Sequence, residues 1–270
     1  MRQEDTSANT NTTKESIPAW ATIIGTTALL YHYDRDIFEG TKVNGKRWGI
    51  GNDDHTKTVI QGGGFDLLRL PSDTGSAMYF LGDGWIHTLV ALGFFTEGAL
   101  TDNARPYNTG LQIIHGMITS TIFSQTIKRV TGRESPNRAT TERGQWRPFP
   151  SLAAYQSRTA EYDAFPSGHI MTATLAFTVI NTNYPEYFYY IMPVEVLWLG
   201  ALGFEMVNNG VHWASDYPLG IGIGYAVGKM ATRMTLPKNK KEKDQKEAAN
   251  WTFFPTSGPD GPLMNALYTF

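Results

Sequence analysis

The sequence predicts an all-α fold, a bundle of helices. Between about residues 75 and 235 apolar residues recur at helical spacing, most clearly at Ile114, Met117, Ile118, Ile122 and Ile127. Stop and start signals punctuate that pattern: Gly132 after one apolar run, Ser167 before the next, Pro185 after that. A last run carries Gly220, Gly222, Gly224 and Gly228, small residues that let two helices approach closely.

Taken in order, residues 1–16 are polar, with no apolar stretch of the kind a signal peptide needs, and read as a flexible N-terminal tail. A helical domain follows over 17–235. Its first helix is expected over Ile17 to Tyr33. Asp34 to Asp73 is rich in Gly, Asp and Lys and reads as loop-dominated, with room for a short helix near Thr58. Leu111 to Val130 is a helix, and Asn137 to Pro150 a long surface loop. Ser167 opens a helix that ends near Asn181, Tyr187 to Met206 forms the next, and Asp216 begins the last. Residues 236–250 form a charged linker, and 251–270 a C-terminal arm without helical period.

Composition excludes several classes. A net charge of −2 and a pI near 6.3 give no electrostatic case for a nucleic-acid partner. With no cysteine there is no disulfide, no thiolate zinc site and no thiol nucleophile. His32, His55, His87 and His115 show no metal-ligand spacing, and Gly62-Gly63-Gly64 lacks the Lys-Ser/Thr of a phosphate loop. Membrane spans are interrupted: Tyr187 to Phe204 by Pro193 and Glu195, Ala77 to Leu100 by Asp83, His87 and Glu97. Mean hydropathy is −0.29. Buried helices of a soluble domain are therefore favoured over a membrane bundle, because charge inside lipid is costly.

Two segments carry chemistry. In Pro166-Ser167-Gly168-His169, serine is a good N-cap, and a helix's first turn leaves backbone N–H groups unpaired at its positive end, which makes an anion site. Gly168 lets a phosphate approach closely, and His169 stands beside it. In His212-Trp213-Ala214-Ser215-Asp216 a carboxylate follows an imidazole by four residues. Asp216 can then fix the ring's tautomer and stabilise positive charge on it, or simply cap the last helix. A third segment, Lys128-Arg129-Val130-Thr131-Gly132-Arg133-Glu134-Ser135-Pro136, puts cations at a helix end. These either neutralise a phosphate dianion or serve the helix dipole.

In this order and spacing the three segments resemble the type 2 phosphatidic acid phosphatase superfamily, which includes bacterial acid phosphatases and vanadium haloperoxidases. The resemblance covers about residues 75–235 and implies a helical bundle of that type, with the site at helix ends on one side. It implies that His212 is the nucleophile forming a phosphohistidine, oriented by Asp216. His169 would protonate the leaving alkoxide and then activate water. Lys128, the Ser167 hydroxyl and the Gly168 N–H would hold phosphate oxygens.

Two family arginines are absent. Ser135 stands where the first motif has Arg, although Pro136 is kept, and Met206 stands where the third has Arg, with Glu205 replacing the preceding Ser. Neither supplies a bidentate, permanently charged clamp. Arg133 is the nearest substitute, with Arg138, Arg147 and Arg158 as others, or Asn208 and Asn209 beside the third motif.

The expected function is thus a phosphatase needing no metal and no cofactor. Its partner would be a phosphorylated lipid or a small phosphoester, monoester or pyrophosphate, and its location periplasmic or membrane-associated. Membrane association and a protein partner stay open. Two alternatives stand beside it: a degenerate homologue that binds a phosphate group or a protein without turnover, and a haloperoxidase using vanadate.

Overall fold

The computed structural model describes residues 7–51, 56–62, 65–71, 77, 80, 82, 84–234, 251–258 and 261–268. Seven α-helices are described: α1 (Ser7–Arg47), α2 (Gly84–Thr101), α3 (Ala104–Thr131), α4 (Leu152–Ser157), α5 (Gly168–Asn183), α6 (Phe188–Asn208) and α7 (Tyr217–Ala231). The expected all-α bundle is what forms.

Local signals set most helix ends. Asn103 caps α3 by accepting from the Arg105 N–H at 3.0 Å. At its other end Gly132 takes the left-handed conformation, φ 57°, and its N–H closes on the Lys128 carbonyl at 2.8 Å. Ser167 caps α5, its side chain accepting from the Ile170 N–H. Pro185 opens a single 3-10 turn that separates α5 from α6.

Helix α5 is the central element, packed by α7, α3, α6 and α2. One core cluster joins Ile113 of α3, Met171, Leu175 and Val179 of α5, and Ile223 and Val227 of α7. A second joins Ile170 and Ala173 to Leu202 and Met206 of α6. The α5–α7 contact depends on glycine. A methyl group on Gly220 would sit 2.8 Å from the Ser167 carbonyl oxygen, and one on Gly224 would meet the Met171 carbonyl oxygen. This close approach brings the start of α5, with His169, against the turn that carries Asp216.

Several expectations are corrected. The tail expected over 1–16 is helical from Ser7 onward, and α1 runs on through Asp34 to Arg47, where loop was expected; residues 1–6 lie outside the described residues. Lys46 and Arg47 in its last turn suit the negative end of the helix dipole. The segment beyond α1 holds no helix near Thr58. Thr56–Gly62 and Phe65–Pro71 (β1 and β2) form an antiparallel hairpin, consistent with the β-branched residues Thr56, Thr58, Val59 and Ile60. The arm is a second hairpin, β3 (Trp251–Gly258) with β4 (Gly261–Tyr268). In sequence the two strands are separated by Pro259-Asp260 and the second opens at Gly261, a local signal stronger than the missing helical period. The linker expected over 236–250 lies outside the described residues.

The expectation of buried apolar helices fails for α6. Pro185–Asn208 is long and apolar enough to cross a membrane, and 28% of its most apolar window is buried. Tyr189, Tyr190 and Leu197 are largely exposed, at 82%, 77% and 73%. Among the described residues no helix packs on that outer face, so its apolar residues face outward.

Candidate active site

The chain segments named by the motifs converge where α5 begins. The Ser167 N–H donates to the Asp216 carbonyl at 3.0 Å, which fastens the first turn of α5 to the single 3-10 turn Ala214–Asp216. His169 lies one residue into α5. His212 lies four residues before Asp216 and is 2% exposed. The two rings meet edge to face, with His169 Nδ1 3.3 Å from His212 Nε2.

His212 is oriented differently from the expectation. Its Nδ1 lies 2.7 Å from the Ala164 carbonyl oxygen, whereas the nearest Asp216 oxygen is 3.6 Å away. A carbonyl can only accept, so Nδ1 carries the proton and Nε2 keeps its lone pair. Ala164 therefore fixes the tautomer, and Asp216 supplies negative charge one step further out. The Asp216 carboxylate caps the 3-10 turn, accepting from the Trp213 N–H at 2.7 Å.

A cavity of about 180 Å³ adjoins the start of α5, lined by Lys128, Gly168, His169, Ser124, Gln125 and Thr172 among others. Lys128 is the cation among these residues. It is 6% exposed and its Nζ stands 3.6 Å from an Asp163 oxygen. A methyl group on Gly168 would meet nothing within 4 Å, so the helix start is open to a ligand. Ser167 is fully buried, its side chain engaged in capping α5. His169 stands between this cavity and His212, which does not line it.

Burial holds the His169 imidazole well below its ordinary value, and the neighbouring His212, Lys128 and His87 push the same way. A positive ring is disfavoured beside the lysine, so His169 is neutral near pH 7.

Arg133, expected as a phosphate clamp, does not face this cavity with Lys128. Its guanidinium is fully buried behind His212. Nη1 donates to Asp216 Oδ1 at 2.6 Å and to Ser215 Oγ at 2.7 Å; Nη2 donates to Asp34 Oδ2 at 2.7 Å and to the Arg143 carbonyl at 2.9 Å. Tyr31, Trp146 and Trp213 surround it at 5.0 to 5.3 Å. On its far side lies a larger cavity of about 550 Å³, mostly apolar and away from the histidine pair.

The other candidate substitutes are also engaged elsewhere. Arg147 pairs with Glu134 at 2.6 Å and Glu161 at 3.3 Å. Arg158 pairs with Glu161, and Arg138 lines the same outer groove. Asn208 donates to the Gly51 carbonyl at 2.7 Å. Asn209 is buried at the end of α6 and does not line the cavity. Ser135 is buried with its N–H on the Ala160 carbonyl, and Met206 is fully buried in the α5–α6 core. Among the described residues, the cavity beside His169 contains no guanidinium.

The sequence reading missed Asp34, Ser215 and Ala164. Asp34 lies on a helix distant in sequence. Ala164 acts through a backbone carbonyl, which no side-chain pattern reveals. Ser215 lies within the His212–Asp216 segment but at no distinguishing spacing. Among the described residues, no group of three or more His, Asp or Glu side chains is placed to hold a metal ion.

No curated protein matches the chain in sequence. Among solved structures it is similar to a crystal structure described as the first transmembrane PAP2 type phosphatidylglycerolphosphate phosphatase from Bacillus subtilis. The two are 14% identical with a TM-score of 0.47, over 84% of this chain and 96% of that one. The family model of the PAP2 superfamily matches residues 109–240, which include Lys128, the helix start at Ser167 to His169, and His212 with Asp216. This segment of the chain belongs to the PAP2 superfamily.

Proposed function

We propose that the protein is a phosphatase that hydrolyses a phosphomonoester or pyrophosphate through a phosphohistidine on His212. The observation that carries this reading is the tautomer: the Ala164 carbonyl holds the proton on Nδ1 and leaves the Nε2 lone pair as nucleophile. Nε2 attacks phosphorus as the bond to the leaving oxygen breaks, and His169, protonated once the dianion is bound, delivers its proton to that oxygen. Neutral His169 then takes a proton from the water that attacks the phosphohistidine. Lys128 and the N–H groups at the start of α5 stabilise the phosphoryl oxygens. Because His169 shields His212 from the cavity, its ring turns aside as phosphate enters.

The exposed apolar face of α6 supports a membrane-associated location and a phosphorylated lipid as substrate. Hydrolysis of 4-nitrophenyl phosphate and of a phosphorylated lipid in detergent, each with and without EDTA, tests the proposal. Turnover that survives EDTA and disappears in His212→Ala is expected. No turnover on any phosphoester, with His212→Ala indistinguishable from the parent, would sink it.

A second reading, phosphate binding without turnover, is favoured by one observation: no guanidinium lines the cavity among the described residues. Losing one such donor typically costs about 100- to 1000-fold in rate. Saturable binding of inorganic phosphate with no phosphohistidine formed would select this reading.

A further inference from the structure

We infer that Asp34, on α1 and outside the matched segment, is a positioning residue for His212. It neutralises Arg133, so that the charge of Asp216 stays available to the histidine ring. The inference rests on the reading of His212 as nucleophile.

The ring becomes positive when Nε2 bonds to phosphorus, and the nearest carboxylate is Asp216, with Oδ2 3.6 Å from Nδ1. Yet Asp216 is held by Arg133 at 2.6 Å. One guanidinium on one carboxylate is a neutral pair that does little for a neighbouring cation. Asp34 alters that balance. Its Oδ2 lies 2.7 Å from Arg133 Nη2, so two carboxylates share one guanidinium and a single negative charge remains. Asp34, Arg133 and Asp216 are each 1% exposed or less, so water and salt screen this charge weakly.

Asp34 also fixes where the charge sits. Its carboxylate accepts from the Ser215 N–H at 3.0 Å and from Ser215 Oγ at 2.5 Å. Ser215 is the residue before Asp216, and Arg133 Nη1 bonds both. The turn bearing the second carboxylate is thereby tied to α1.

Among the described residues the titratable groups facing the His212 ring are His169 from α5 and Asp216 from the 3-10 turn that follows it, with the Ala164 carbonyl on Nδ1. Arg133, in the loop after α3, and Asp34 stand behind Asp216. Lys128 of α3 and His87 of α2 act on His169. Asp34 is thus the charge, outside the matched segment, that offsets the guanidinium on Asp216.

The test compares the parent with Asp34→Asn, Arg133→Gln and the double variant, each checked for folding by near-ultraviolet circular dichroism. Phosphoramidate is the phosphoryl donor. Its P–N bond breaks, ammonia leaves with the added proton, and the His212 Nε2–P bond forms, read by mass spectrometry. Asp34→Asn is expected to label about tenfold more slowly than the parent, the effect of one unit charge at an effective dielectric of about 20. The double variant restores the single negative charge and is expected to recover to within about threefold. A purely structural Asp34 gives no recovery, because the second substitution adds damage.

A second readout needs no phosphoryl transfer. By 15N NMR, the pH at which the His212 ring takes up a proton is expected to fall by about one unit in Asp34→Asn, return in the double variant, and rise in Arg133→Gln. Arg133→Gln gives the sign even if Asp34→Asn does not fold. An unchanged midpoint in Asp34→Asn, or a double variant displaced further than the single, would overturn the inference. If the parent neither labels nor hydrolyses phosphoesters, the phosphatase reading fails while the NMR comparison still decides the role of Asp34.

Discussion

His212 Nε2 lies 3.3 Å from His169 Nδ1, while His212 Nδ1 is fastened to the Ala164 carbonyl. One ring therefore presents a lone pair on a fixed mount, and the other stands between it and the cavity. The division of roles predicts different outcomes for the two alanine variants. His212→Ala is expected to abolish phosphohistidine formation. His169→Ala is expected to lose about 10²- to 10⁴-fold in kcat on an alkyl phosphate, which needs a proton at its leaving oxygen, and much less on 4-nitrophenyl phosphate. Stopped-flow and steady-state assays on both substrates check this; equal losses would contradict His169 as proton donor.

The lowered His169 value makes stability depend on pH. Below pH 6.5 the unfolded chain protonates this histidine and the folded protein does not, so the unfolded state binds more protons and stability falls as pH falls. The loss begins near pH 6.5 and levels off below the folded-state value, at no more than about 1.4 kcal/mol per pH unit. Thermal melts of the parent and His169→Gln between pH 7.5 and 5 are expected to show a shallower decline in the variant. Parallel curves would refute it.

Lys128 is the cation at the cavity, and its loss is expected to weaken inorganic phosphate binding by about tenfold or more. Calorimetric titration of Lys128→Met measures this. Raising salt is expected to weaken the parent more than the variant, because the variant has lost the charge being screened.

Ser135→Arg puts a guanidinium at a position that is 2% exposed and does not line the cavity, and is expected to lower the melting temperature without raising phosphate affinity. Met206→Arg is expected to behave likewise. Met206 is fully buried among Ile170, Ala173 and Leu202, so an unpaired charge there lowers the melting temperature before it reaches any ligand. Melting curves beside phosphate titrations check both, and a gain in phosphate affinity in either variant would refute the prediction.

The glycine seam has its own test. Gly224→Ala places a methyl group against the Met171 carbonyl, a backbone atom that cannot rotate away, and is expected to cost about 1–3 kcal/mol. Gly25→Ala, where a methyl group meets nothing within 4 Å, is expected to leave the melting temperature unchanged or slightly raised.

Sequence and structure agree most where a local rule decides. Helical spacing places α3, α5 and α6, Gly132 and Ser167 mark the end of α3 and the start of α5, and Gly220, Gly224 and Gly228 of α7 form the contact with α5, while Gly222 faces Ile23 of α1. The convergence of the motif residues was readable because family spacing encodes it. What escaped was non-local or carried by backbone. Asp34 reaches Arg133 across 99 residues, and nothing in its surroundings on α1 marks it. The Ala164 carbonyl has no residue-type signature. Arg133 was read from its proximity to Lys128 in sequence, but the left-handed turn at Gly132 redirects the chain between them and sends the guanidinium to the far side of His212.

The close packing of α5 on α7 has a consequence for how this chain tolerates change. The separation of the two histidines is set by backbone against backbone, through the Ser167–Asp216 hydrogen bond and the bare edge of Gly220. Side chains elsewhere in the bundle can drift over generations without moving that spacing. The spacing of the histidine pair can therefore persist while the residues around it change. A serine and a methionine now stand where arginines are expected, beside a histidine pair still held at contact distance.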